Sequence, residues 1–188
     1  MIENILILDT ETTGLDPKTC QVIEIGAVLY NIKHKAILQS YSSLIPCGTN
    51  PVEHINHISA ASTNCDYPAN AFNQILERMN VYAQVCVAHN ASFDKRFIAT
   101  LPCGEILLAN RWICTKENFT WPVRLTRFRL EDICNAMGVP YVNAHRALSD
   151  CFLLASCFER IDDLEERFNF LYEAMKVNEI FMAELKKE

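Results

Sequence analysis

Two carboxylates one residue apart stand at Asp9-Thr10-Glu11, directly after the apolar run Ile5-Leu6-Ile7-Leu8. Alternate side chains of a strand share a face, so Asp9 and Glu11 would project together. At the mouth of an apolar strand such a pair repels unless a cation lies between, and hard oxygen ligands suit Mg²⁺ or Mn²⁺. Taken alone, the pair equally fits exposed acids at a strand end. A second group, His89-Asn90-Ala91-Ser92-Phe93-Asp94, follows the apolar run 85–88 and sets Asp94 near a helix start, where a capping acid is the alternative. The third is His145-Arg146-Ala147-Leu148-Ser149-Asp150. Five residues of helix turn through about 500°, so His145 and Asp150 would diverge within one helix. His145 is therefore expected before the helix, on a mobile stretch, if both serve one site.

Five strands and several helices could position these groups. Residues 5–8, 22–30 and 36–44 read as strands of an antiparallel meander with a turn near residues 31–35. Residues 46–68, rich in Pro, Asn, Ser and Thr, read as a loop with a short turn around His57-Ile58-Ser59. Helical spacing over 69–82, a buried strand at 85–88 and a helix through Phe93, Phe97 and Ile98 move the class from all-β to α/β. A short strand is expected at 112–114, a helix over 130–137 stopped by Gly138 and Pro140, and another over 147–161. Residues 162–188 carry eight acids and four bases around Leu164, Phe168, Leu171, Met175 and Phe181, the pattern of an amphipathic helix. Trp112 is expected in the core and Trp121 at its rim.

Length and charge narrow the functions. The 188 residues, 50% of them hydrophobic, suffice for one sizeable core. A net charge of −6 argues against coating nucleic acid with a broad basic surface. Bases cluster locally instead, with Lys95, Arg96, Arg111, Lys116, Arg124, Arg127 and Arg129 set against Asp94, Glu105 and Glu117 over residues 90–130, a segment that could face a phosphate backbone. The nine cysteines are odd in number and contain no C-x-x-C pair, so reduced core thiols are expected rather than disulfides or zinc. The first residues lack the basic flank and apolar stretch of a signal peptide, and no apolar run is long enough to span a bilayer, so a cytoplasmic, non-membrane protein is expected.

Taken in order and spacing, D-x-E, H-N-A-S-F-D and H-R-A-L-S-D resemble the three motifs of the DnaQ-like 3′-5′ exonucleases of ribonuclease H fold, in the branch with histidine in the last motif. Within that family, V-A-H-N-A-S-F-D-K-R, W-I-C-T-K and H-R-A-L-S-D-C resemble the bacterial exonuclease X group. The resemblance runs from about residue 5 to about residue 158. It implies a ribonuclease H-like α/β fold, a mixed five-stranded sheet with helices on both faces. It also implies that Asp9, Glu11, Asp94 and Asp150 hold two Mg²⁺ or Mn²⁺ ions, with His145 taking the proton of the attacking water. Two such ions would reduce the net charge to about −2.

By the same resemblance, Thr12, Thr13, Gly14 and Leu15 form the loop that grips the terminal sugar, with Leu15 as a wedge beside the last base. His57 and Ile58 align with the base-pocket loop. Asn90 would hold a local turn, and Phe93 would pack on the sheet or stack on a base. The expected partner is a single-stranded DNA 3′ end, hydrolysed to 5′-mononucleotides. Two alternatives stand beside it: an RNA-trimming enzyme of the oligoribonuclease or RNase T type, and a non-catalytic nucleic-acid-binding subunit. Residues 1–161 are expected to form the exonuclease domain, and 162–188 a helical extension packed on it. That helix could also dock a partner or form a homodimer, but covering the core is the reading preferred.

Overall fold

The computed structural model describes residues 1–64, 69–142 and 145–185. Cys65, the end of the 46–68 loop and residues 186–188 lie outside that description. Five strands form one mixed sheet in the order β3-β2-β1-β4-β5. They are β1 (Asn4–Thr12), β2 (Val22–Asn31), β3 (Ala36–Leu44), β4 (Val85–Ala88) and β5 (Trp112–Cys114). The first three pair antiparallel, as the short turn at 31–35 requires, whereas β4 and β5 add parallel to β1. A parallel neighbour needs a crossover, and α2 (Ala69–Tyr82) supplies the one from the meander to β4.

Strand β1 is central and covered on both faces, which is why its apolar run is continuous rather than alternating. Ile5 and Ile7 face a core shared with α5 (Leu130–Met137), α6 (Ala147–Glu159) and the start of α7 (Leu164–Leu185). Leu6 and Leu8 face the opposite core, shared with α2, α3 (Ala91–Ile98) and α4 (Gly104–Ala109). The expected ribonuclease H-like arrangement, with helices on both faces, is the one observed.

Three expectations need correction. The turn placed around residue 57 falls earlier, as α1 (Glu53–Asn56), with His57 as its left-handed cap. Between the expected helix through Ile98 and the strand at 112–114, where no element is expected, the chain forms α4. Trp121 is buried, not at the rim: its ring stacks on Phe158 at 5.9 Å between centroids and 9° between planes, and its indole N–H donates to the Thr115 carbonyl at 2.9 Å. Eight cysteines are free thiols, six of them buried. Among the described residues no helix is long and apolar enough to cross a membrane.

Candidate active site

Beyond Leu8, strand β1 exchanges aliphatic side chains for polar ones while holding the same alternation. Asp9 and Glu11 continue the face of Ile5 and Ile7, towards α6, and Thr10 and Thr12 continue the other. Carboxylate oxygens of Asp9, Glu11 and Asp150 lie within 4.8 Å of one another, close enough to share a metal ion. The Asp150 Oδ1 atom is buried and has no hydrogen-bond partner. A buried carboxylate oxygen left unpaired is costly, and an oxygen-seeking divalent cation is the partner whose chemistry matches this donor set.

Electrostatics say the same. Burial pushes the Asp9 carboxyl well above its ordinary range, and Asp94, Asp150 and Glu11 push it further. Glu11 is raised to about 8 by burial and by Asp150, Glu24 and Asp94, with Arg146 pulling it back. Burial lifts Asp150 to about 6, against the downward influence of His145. Each shift marks a carboxylate denied water and crowded by like charges, the condition a cation relieves.

Asp94 reaches the group from the other side of the sheet. Its Oδ1 accepts the Thr10 backbone N–H at 3.1 Å and the Thr10 hydroxyl at 2.9 Å. It is therefore bonded to the strand rather than capping its own helix, although burial still raises it to about 7. His145 lies outside α6, exposed, with φ at 63°, so the chain turns sharply between it and Ala147. Asn90, just before α3, has φ at 144°. A second positive φ beside the same acids places backbone strain where geometry has been bought for a purpose.

An open cavity of about 450 Å³ reaches His145 and Asp150, lined also by His89, Asn90, Lys116 and Tyr141 among others. His89 shapes its wall: Nε2 donates to the Phe128 carbonyl at 2.9 Å and Nδ1 meets the Thr115 hydroxyl at 2.9 Å. Burial lowers this imidazole to about 4, so it is neutral, and the carbonyl fixes Nε2 as the protonated nitrogen. The basic cluster of residues 90–130 splits. Lys116 and Arg129 line the cavity, whereas Arg111 is turned away, paired with Glu179 at 2.7 Å.

The loop after β1 is held firmly. The Thr12 hydroxyl donates to the Gly14 carbonyl at 2.6 Å, and Thr13 and Gln21 bond each other through backbone and hydroxyl. Leu15, at 79% exposure, is free of the core. Of the two residues aligned with a base pocket, His57 is exposed and Ile58 is buried. Phe93 is half-buried against Phe97, with ring centroids 4.9 Å apart.

Sequence reasoning missed three supports. Thr10 holds Asp94. Asn56 is buried and donates from its amide to the Thr12 carbonyl at 3.1 Å, tying α1 to the end of β1. Glu24 on β2, 2% exposed, grips Arg146 and the start of α6. An acid inside the otherwise apolar run 22–30 was the signal available for Glu24, because charge is rarely buried without a partner.

The sequence profile of the family described as Exonuclease, of RNase T type, matches residues 6–158. The chain belongs to this exonuclease family. The DNA polymerase III PolC-type of Thermotoga maritima is 25% identical over 177 residues, 86% of this chain and 12% of that protein. The 3′-5′ exonuclease DinG of Staphylococcus aureus strain MRSA252 is 29% identical over 168 residues, 84% of this chain and 18% of that protein. The chain thus spans less than a fifth of the curated relatives it matches. The structure of exonuclease X in complex with 5′ overhanging duplex DNA superposes with a TM-score of 0.62 at 24% identity, over 83% of this chain and 90% of that one. This similarity places the exonuclease family's fold on the present chain, with Asp9, Glu11 and Asp150 converging at the end of its central strand.

Proposed function

We propose that the chain is a metal-dependent 3′-to-5′ exonuclease that hydrolyses single-stranded DNA ends to 5′-mononucleotides. The observation carrying this is the convergence of the half-buried Asp9, Glu11 and Asp150, with an unpartnered Asp150 oxygen, beside a cavity lined by Asp150 and His145. Asp9, Glu11, Asp94 and Asp150 would hold two Mg²⁺ or Mn²⁺ ions, which supply Lewis-acid stabilisation of the phosphate charge and acidify a water. His145 takes the water's proton on an imidazole nitrogen, a role open to it because it is exposed and outside the helix. Thr12, Thr13 and Gly14 bind the terminal sugar. The exposed Leu15 wedges beside the last base, and His57 borders the base pocket, with Ile58 shaping it from beneath. Asn90 sets the turn before Asp94, and Phe93 offers its half-buried ring to a base.

Polarity follows the DinG relative, whose name specifies 3′-5′ hydrolysis. DNA is favoured by the resemblance to exonuclease X, whose partner in its solved complex is DNA. Residues 1–161 are read as the exonuclease domain and 162–188 as a helical extension packed on it. The burial of Leu164 and Phe168 in the core beside α6 supports the packing of that extension on the domain.

The test compares the purified protein and an Asp9→Ala variant, each with Mg²⁺ or EDTA, on matched 5′-labelled DNA and RNA single strands. Metal-dependent shortening from the 3′ end, lost in the variant and faster on DNA, is expected. Faster RNA trimming would transfer the assignment to an exoribonuclease. No shortening of either strand with either metal would refute hydrolysis and leave a binding subunit.

A further inference from the structure

Glu24 sits opposite Glu11 in the β1–β2 ladder, and its carboxylate faces α6. Its oxygens accept Arg146 Nη2 at 2.7 Å, Arg146 Nε at 3.0 Å, the Ala147 backbone N–H at 3.0 Å and the Ser42 hydroxyl at 3.3 Å. Every lone-pair direction is engaged by a protein group, so this acid is not available as a ligand. Two residues along β2 the same helix turn is fixed a second time: a Cβ on Gly26 would run into the backbone of Ala147 and Leu148. The start of α6 is thus clamped to β2 by a charged grip and by close backbone approach. Asp150 lies three residues into the helix from that clamp, and His145 two residues before it.

We infer that Glu24, acting through Arg146 and the Ala147 amide, is a positioning residue that sets the rotation of α6 and so aims Asp150 and His145 at the carboxylates of β1. This rests on the exonuclease reading for its consequence in catalysis, but not for its geometry. Only the Glu24 end of the pair is buried, the Arg146 side chain being 47% exposed, and an ion pair of this kind contributes little stability compared with apolar packing, so its value here lies in fixing one orientation. The lever is sensitive. A helix is about 5–6 Å in radius with its side chains, so a rotation of about 20° moves a side-chain tip by about 2 Å. Misplacement by about 1 Å costs about 100-fold in rate at sites that depend on alignment.

The experiment measures wild type, Glu24→Ala, Glu24→Gln, Arg146→Ala and Arg146→Lys in the full chain. Three readings are taken: amide exchange at Ala147 and Leu148 in metal-free protein, Mn²⁺ affinity by titration, and kcat and KM on single-stranded DNA. Glu24→Ala is expected to speed exchange at these amides at least about 10-fold and to weaken Mn²⁺ binding about 10-fold. It should lower kcat about 100-fold while KM stays within about 3-fold. Glu24→Gln retains an oxygen for the Ala147 N–H and should recover part of each loss. It also serves with Arg146→Lys if Glu24→Ala does not fold. A lowered melting temperature with wild-type Mn²⁺ affinity and kcat would overturn the inference and make Glu24 structural only. So would a raised KM in Arg146→Ala beside a silent Glu24→Ala, which would make Arg146 a direct phosphate contact. A wild-type protein that leaves DNA intact, yet loses Mn²⁺ affinity on Glu24→Ala, would refute the exonuclease reading while upholding the positioning. A wild-type protein without Mn²⁺ affinity would refute the metal-dependent reading, and unchanged amide exchange in Glu24→Ala would overturn the positioning.

Discussion

Asp94 and Asp150 occupy equivalent local positions and differ in what completes them. Each is the fourth residue of its helix, each helix is approached through a residue of positive φ, and each acid's own amide bonds the carbonyl four residues earlier. Yet Asp94 finds two donors on Thr10, whereas the Oδ1 of Asp150 finds none. The same local structure therefore delivers one acid that the protein holds and one that awaits a ligand. The difference arises from the strand: Thr10 points towards α3, and the side chains facing α6 are themselves acids.

Replacing the acid that awaits a ligand should have the largest effect. Asp150→Asn is expected to reduce single-strand degradation about 1,000-fold, the scale of losing a principal electrostatic contact to the transition state. It should also raise the metal-free melting temperature by about 2–4 °C, since about 1 kcal/mol of carboxylate repulsion is removed from a chain of this length. A variant that is less stable without metal than wild type would contradict the account of Asp150 as a group strained by the lack of a cation.

Breaking the held acid's support should cost less. Thr10→Val removes the hydroxyl at 2.9 Å and leaves the backbone donor in place. A hydrogen bond to a charged group contributes about 1.5–3 kcal/mol, so activity should fall about 10-fold or somewhat more, and Thr10→Ser should restore it. Full activity in Thr10→Val would show that the strand amide alone positions Asp94.

Both acids share an upward shift, and the sign of its effect on stability can be worked out. Glu11, Asp94 and Asp150 are raised to about 8, 7 and 6 from ordinary values near 4, and Asp9 is also raised. The folded, metal-free chain therefore holds more protons than the unfolded chain between about pH 4 and pH 8, so these groups make stability fall as pH rises through that window. A bound divalent cation such as Mg²⁺ would take the place of the missing protons. Its stabilising effect should be largest near pH 8 and small near pH 5, read from melting temperatures with and without the ion. Glu11→Gln should flatten the metal-free profile; an unchanged slope would remove Glu11 from the cluster.

The acids themselves were legible in the sequence, and so were the five strands and most helices, because period-two and helical spacing are local signals. What was not legible is long-range. Glu24 meets Arg146 across 122 positions, and Thr10 meets Asp94 across 84, pairings that no window of neighbouring residues contains. Helix α1 was legible only as a turn, placed a few residues late, for a different reason: four residues complete only one turn and cannot display a periodicity. Trp121 was misplaced because its partners Phe119, Phe158 and Phe168 form an aromatic cluster assembled from three separate segments, which no local pattern displays.

The contrast between held and waiting groups extends, with smaller effects, to the basic residues. Arg111 is satisfied twice over, by Glu179 at 2.7 Å and by the ring of Tyr172 beneath its guanidinium, 5.1 Å away. Lys116 lines the cavity beside His145 and Asp150 and has no ion-pair partner among the described residues. A phosphate of the incoming strand is the natural counter-charge for the second and not for the first. Lys116→Ala is accordingly expected to raise KM about 3-fold and to lessen its dependence on salt by about one counterion, leaving kcat unchanged. Arg111→Ala should leave both constants within about 2-fold and lower stability by at most about 1 kcal/mol, because exposed pairs contribute little. Steady-state kinetics over a series of salt concentrations distinguish the two. A larger KM effect at Arg111 than at Lys116 would mean that the strand runs along α7 rather than through the cavity.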